Sequence, residues 1–365
     1  MDEASLYAIA LSMVPEIGSI RAKLLLDHFG NAADIFKAKR KTLEAIEGIG
    51  TTVAQSIVNW KDLAFAEAEW QFCTEHNITI LHYHHPDYPS RLRHCYDAPA
   101  VLFYKGNADL NKQKIISIIG TRNNTNYGKA ITEELLEALQ GMDVLVVSGL
   151  AFGIDMIAHR AALQNQLETV GVLAHGIDSI YPSQHKALAK EMMNHGGLLT
   201  EFPQGTKADR HNFPRRNRIV AGMADATIVV ETAEKGGSMI TAELAWTYNR
   251  DLFAVPGKIS DSKSAGCNQL IRQQKAQIYT SPKQFLKDIG WLNKPVKRQS
   301  QRLLFPELSE TEQQIVDLLQ KADSLHIDLL YQQSGLSSSA VAAAMLNLEM
   351  QNIVLSLPGK MFRLA

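Results

Sequence analysis

From about residue 114 to residue 290 the chain alternates short β-rich apolar runs with amphipathic stretches, and this repetition limits the possible folds more than any other feature. Candidate strands cover 115–119, 144–147, 169–173, 198–201, 227–231, 252–255 and a short 277–279. Candidate helices lie between them at 129–140, 155–166, 184–194 and 239–249. Apolar strands that alternate with helices predict an α/β class: a Rossmann-like, mainly parallel sheet covered on both faces. Ligands of such a sheet sit at the carboxyl ends of its strands.

Three loops at those ends carry glycine. Gly120-Thr121-Arg122 ends the first strand, Ser148-Gly149 with Gly153-Ile154-Asp155 follows the second, and Gly236-Gly237-Ser238 precedes a helix after Val230-Glu231. Glycine lets the backbone approach a phosphate, while amide hydrogens and a helix N-terminus supply partial positive charge. Gly120 lies eight positions before Gly128-Lys129, too far for the G-x-x-x-x-G-K loop, and no G-x-G-x-x-G follows the first strand. ATP hydrolysis and NAD chemistry lose support, and no cofactor is expected.

The second chemical feature is segment 207–218, where Lys207, Arg210, Arg215, Arg216 and Arg218 oppose the single acid Asp209. Phe213 lies among them, and a ring set between guanidinium groups suits unpaired bases: stacking for the base, cations for the backbone. A solvated basic loop whose arginines pair with helix-end carbonyls would have the same composition. The candidate nucleic-acid-binding set is Gly120, Thr121, Arg122, Ser148, Gly149, Lys207, Phe213, Arg216, Asn217, Arg218, Gly237 and Ser238.

A chain of 365 residues is too long for one core and suggests two to three domains. Residues 1–72 read as short helices: Leu6, Ile9, Ala10 and Met13 follow the spacing of one buried face. Glu16-Ile17-Gly18 leading to Ala22 and Leu25 matches Gly48-Ile49-Gly50 leading to Ala54 and Ile57 at an offset of 32 residues, which suggests a duplicated hairpin; the second copy resembles a helix-hairpin-helix. Residues 73–290 form the sheet domain with an N-terminal extension. Residues 291–306, with Lys294, Lys297, Arg298, Arg302 and two prolines, read as a linker. Residues 307–365 open with a Ser309/Glu312 capping box and end in a hairpin around Pro358-Gly359, the pattern of a winged helix.

Composition excludes other classes. The net charge of -1 provides no global field for nucleic acid or membrane, so a nucleic-acid site must be a local patch. Cys73, Cys95 and Cys267 are too few and too scattered for a disulfide framework or structural zinc, which suits a reducing cytoplasm. The acidic start and the lack of a long apolar run predict neither secretion nor membrane insertion. His82, His84 and His85 tempt as a metal cluster, but strand alternation would send His85 to the opposite side. Asp155 and His159 share a helix face at i, i+4, where helix capping and packing explain them better than acid–base chemistry.

Taken in order, these motifs resemble the DNA-processing protein A (Smf) family of bacterial natural transformation, over nearly the whole chain. The resemblance rests on Tyr88-Pro89, Leu92, Asp97, Pro99 and Lys105-Gly106; on Ile119 to Arg122 with Tyr127-Gly128; and on Ser148 to Ala151 with Gly153 to Asp155 and His159. It continues through Asp178, Tyr181-Pro182, Glu201 to Pro203, Phe213-Pro214 with Arg216 to Arg218, Gly237-Ser238 with Thr241-Ala242, and Val255 to Gly257. It implies a Rossmann-like domain that binds single-stranded DNA, dimerises and helps load the RecA recombinase, without being an enzyme. Phe152 stands where many relatives carry arginine, and Gly236 replaces a common serine. Two alternatives stay open. Segment 236–243 partly resembles the G-G-x-G-T-x-x-E loop of nucleotide phosphoribohydrolases, with Arg218 and Glu243 as its reactive groups, and the fold also suits a nucleotide-sensing adaptor.

Overall fold

Runs buried along their whole length belong inside a sheet, and the computed structural model, which describes residues 2–292, 308–351 and 353–364, lays five of them side by side. The expected linker lies almost wholly outside the described residues.

Six helices come first: α1 (Glu3–Met13), α2 (Ser19–Phe29), α3 (Ala32–Lys37), α4 (Arg40–Glu44), α5 (Thr51–Asn59) and α6 (Ala64–Glu75). The duplication is visible in the backbone. Glu16 and Gly48 have φ of 66° and 88°, and Gly18 and Gly50 then open α2 and α5 in the same extended conformation.

β1 (Thr79–His82), α7 (Ser90–Arg93) and β2 (Val101–Gly106) follow. The alternating region comprises β3 (Ile115–Ile119), α8 (Asn126–Ala138), β4 (Leu145–Ser148), α9 (Ile154–Gln164), β5 (Glu168–Val172), α10 (Lys186–Met192) and β6 (Gly196–Thr200). It continues with α11 (Asn212–Met223), β7 (Ala226–Val229), α12 (Gly237–Thr247), β8 (Asp251–Ala254), α13 (Ala265–Arg272), β9 (Gln277–Ile278) and α14 (Pro282–Asp288).

The nine strands run β1-β2-β6-β5-β4-β3-β7-β8-β9. β6, β5, β4, β3 and β7 pair in parallel, whereas β1 and β2 extend the β6 edge in antiparallel fashion. Sequence reading placed the parallel strands within a residue or two but missed β1 and β2 as members of this sheet. It also missed α11, because Pro214 and a run of arginines disguise a helix start. Proline is tolerated in the first turn, where its missing N–H has no partner to lose.

From β3 the chain winds outward through β4, β5 and β6, then crosses to β7 on the other side of β3. A crevice opens at that reversal, outside the carboxyl ends of the strands.

The helical block is packed against the sheet. Leu6 and Ile9 of α1, Leu102 and Phe103 of β2, and Val170 of β5 belong to one continuous apolar core. Met1–Tyr248 with Leu252–Pro282 form one compact unit, and α6 runs straight through the expected boundary at 72/73.

The second unit contains α15 (Glu310–Leu319), β10 (Leu325–His326), α16 (Ile327–Ser334), α17 (Ser338–Met350), β11 (Val354–Leu357) and β12 (Met361–Leu364). The Ser309/Glu312 capping box forms as the sequence requires. Gly335, at φ 65°, turns α16 into α17. β12 lies between β10 and β11, and Ile315, Leu330, Val341 and Leu348 fill a separate core, giving a winged helix.

Candidate nucleic-acid interface

A cleft of about 750 Å³ occupies the crevice. Gly120, Thr121 and Arg122 after β3, Gly149 and Ala151 after β4, and Gly236, Gly237 and Ser238 at the start of α12 form its backbone walls. Arg210, Phe213, Arg216 and Asn217 close the remaining side.

The loops are tied together. Glu231, buried past the end of β7, accepts the Thr125 N–H at 2.8 Å and the Thr125 hydroxyl, while its carbonyl accepts the Thr121 N–H at 2.7 Å. The Ile154 N–H donates to Thr121 O at 3.2 Å. Gly153 must be glycine twice over: its φ is 78°, and a Cβ there would collide with Thr121 O. Ser238 donates to Thr232 Oγ1 at 2.7 Å, fixing the first turn of α12.

Arg216 forms the floor. It is 4% exposed, and its guanidinium donates to the carbonyls of Gly149 and Val172. Only glycine fits at 149, since a Cβ would run into that guanidinium. Burial pulls Arg216 down to about 10, with the Asp155 charge opposing this, so it remains a cation at neutral pH. Asp155, also buried, is pushed above its ordinary value by burial and held back by Arg216. It accepts the Ala151 N–H at 3.3 Å, reaching back over the loop as a helix-start aspartate should. Because the floor pair compensates itself, the exposed cations at the cleft are Arg122 and Arg210, aided by the N-termini of α9 and α12.

Arg122 lies over the Phe213 ring, 5.2 Å from its centroid, and Tyr181 stands 6.1 Å from Phe213. Both Tyr181 and Phe152 are exposed, and they flank a small recess beside the cleft. Phe152 therefore offers an aromatic face beside the cleft, its ring 5.0 Å from His185.

Three of the expected residues are elsewhere. Ser148 is fully buried and donates to Ile118 O at 2.6 Å, stitching β4 to β3. Lys207 is exposed but does not line the cleft. Arg218 is 6% exposed, paired with Glu201 and donating to Asp97 O. Two residues apart on a helix lie about 200° apart, so Arg216 and Arg218 point to opposite sides of α11. The arginines of segment 207–218 thus divide, with Arg210 and Arg215 exposed and Arg216 and Arg218 inside.

The chain turns after β1, where the His85 N–H donates to His82 O at 2.8 Å, so the His82 and His85 rings meet at 5.5 Å rather than on opposite sides. No group of three His, Cys, Asp or Glu suited to a metal exists among the described residues. His159 bonds Thr169 Oγ1 at 2.7 Å through Nδ1, and burial drives it down to about 3, so it is neutral. Glu243 pairs with Lys275 at 2.7 Å and does not line the cleft. No helix among the described residues is long and apolar enough to cross a membrane.

Asp155, Glu231, Arg210 and Tyr181 were absent from the sequence-derived set. Asp155 could have been found from Gly153, because the first turn after a glycine-started helix faces the loop before it.

The family model described as DNA recombination-mediator protein A matches residues 79–290, with a DprA winged helix domain at 302–360 and a helix-hairpin-helix motif at 7–67. Protein Smf of Synechocystis is 34% identical over 305 residues, covering 82% of this chain and 76% of that protein. The DNA processing protein DprA of Bacillus subtilis is 41% identical over 208 residues, 57% of this chain and 70% of that one. The crystal structure of DprA from Streptococcus pneumoniae superposes with TM-score 0.67 at 32% identity, covering 79% of this chain and 99% of that one. A Helicobacter pylori DprA structure, described by its single-stranded DNA binding mode, gives TM-score 0.53 at 29% identity over 58% of this chain and 94% of that one. The chain belongs to the DNA recombination-mediator protein A family, the DprA and Smf proteins.

Proposed function

We propose that the cleft binds single-stranded DNA with little sequence preference. The observation that carries this is Arg122 stacked on Phe213 beside glycine loops and two helix N-termini: an aromatic ring and a cation side by side, with backbone amides for phosphate. Gly120, Thr121, Gly149, Gly237 and Ser238 supply the cradle, Asn217 its rim, and Arg216 its floor. The relative of known DNA binding mode supports the same reading. Membership of the family extends it to protection of incoming single strands and RecA loading during natural transformation, by a cytoplasmic homodimer.

Affinity is expected to rise with oligonucleotide length and to exceed that for duplex, measured by anisotropy. Competition by mononucleotides at micromolar concentration would favour the sensor or enzyme instead. Catalysis is disfavoured because Glu243, the residue a phosphoribohydrolase would use, is paired with Lys275 away from the cleft.

We assign the winged helix to protein contact. Its α17, Ser338–Met350, contains no lysine or arginine, and phosphate neutralisation needs cations. Over 303–365, seven acids oppose Lys321, Lys360 and Arg363. The isolated module is expected to give no anisotropy change with duplex DNA at physiological salt; micromolar binding would reverse the assignment.

A further inference from the structure

A short turn, residues 203–206, connects the end of β6 to the basic segment that walls the cleft. Gly205 sits at φ 75°, and three hydrogen bonds fix the turn. Both carboxyl oxygens of Glu69 face the Gln204 N–H at 3.1 Å, Asp178 Oδ1 accepts the Gly205 N–H at 3.0 Å, and Thr206 O accepts the Gly176 N–H at 3.0 Å. The contact with Gly176 is close, since a Cβ there would lie 2.6 Å from Pro203 O. Ala208 and Arg210, a few residues along, line the cleft.

The two carboxylates differ in origin. Asp178 is exposed on the loop after β5, whereas Glu69 comes from α6 of the helical block and is 1% exposed. A buried carboxyl that meets a backbone N–H and a thiol is costly to keep, and its position against a single loop amide gives it a task. We propose that Glu69 is the positioning residue of the basic wall, through which the helical block holds the turn that presents Arg210 to DNA. The consequence for binding rests on the single-stranded DNA reading; the positioning itself does not.

The groups facing Glu69 are Asp178 across the turn and Cys73 one helical turn onward, its Sγ 4.0 Å away. Burial raises the Cys73 thiol to about 12, so it stays protonated. Burial also raises Glu69 to about 7, against the pull of the Gln204 N–H and with the Asp178 charge adding to the rise. If the turn lifts, the carboxyl regains water and its ordinary value near 4.5. The clamped state then binds the proton more tightly than the lifted state, so the hold on the turn is greatest below about 4.5 and is lost as the pH rises through about 7. Glutamine imitates the protonated group and keeps an acceptor for the Gln204 N–H.

The test is trypsin cleavage after Lys207 and Arg210 in the full chain at pH 6 and pH 8, beside anisotropy with a fluorescent oligothymidylate. Glu69→Gln should be cut more slowly than wild type at both, and the wild-type to Glu69→Gln rate ratio should rise about tenfold from pH 6 to pH 8. Glu69→Ala should be cut faster than Glu69→Gln at both, with oligonucleotide affinity falling in the same order. A wild-type to Glu69→Gln ratio identical at the two pH values would overturn the proposal, and that comparison does not depend on the alanine variant folding. Altered cleavage with unchanged affinity overturns the role in binding. If wild type binds no oligonucleotide, the single-stranded DNA reading fails, while the cleavage ratios still judge the positioning.

Discussion

Replacing Arg218 with alanine is expected to cost about 3–5 kcal/mol of stability, because it leaves Glu201 buried without its ion-pair partner. Glu201 is as enclosed as Arg218, with side-chain exposures of 6% and 7%, and its second cation, Arg215, lies farther off at 3.5 Å and is 60% exposed. The guanidinium also holds Asp97 O, and Asp97 in turn accepts the Tyr248 hydroxyl at 2.7 Å, so one substitution loosens three segments. Urea denaturation measures the loss. Removing both charges, with Arg218→Met and Glu201→Leu, should recover much of it, since apolar replacement of a buried pair is often neutral. A folded Arg218→Ala protein with unchanged stability and a flatter salt dependence of DNA binding would return Arg218 to the DNA surface.

Arg122→Ala should behave in the opposite way. Its side chain is exposed, so thermal stability should hold, but single-strand affinity should fall about tenfold to a hundredfold and the log K against log salt slope should flatten by roughly one unit. Phe213→Ala separates the two halves of the contact. It removes the stacking face, at about 1–3 kcal/mol, and should leave the salt slope nearly intact. Salt titrations of the two variants decide the matter; an unchanged slope in Arg122→Ala would remove the cation from the site.

The contrast between Arg122 and Arg218 marks where the sequence is legible. Apolar runs such as 115–119 and 144–147 announce parallel strands because both faces must be buried, and the glycine loops announce their ends. A helix of alternating fates does not announce itself. In segment 207–218 composition reveals a basic patch, yet the direction of each arginine depends on the rotation of α11, which Pro214 conceals. Asp97 and Glu201 lie 121 and 17 positions from Arg218, so their capture of it is a tertiary event. β1 and β2 were missed for a similar reason: β2 joins the sheet through β6, about a hundred residues onward and antiparallel to it, and β1 joins only through β2. Glu231 is polar where a strand ends, and only the fold brings Thr125 to it.

The apolar core shared by α1, β2 and β5 bears on how the molecule can be taken apart. A segment whose side chains complete another layer's interior is not a bead on a string; excising it would leave Leu102 and Phe103 facing water. The helical block and the sheet should therefore melt in a single cooperative transition, and the block cannot be exchanged or trimmed as an accessory without refashioning the layer beneath it.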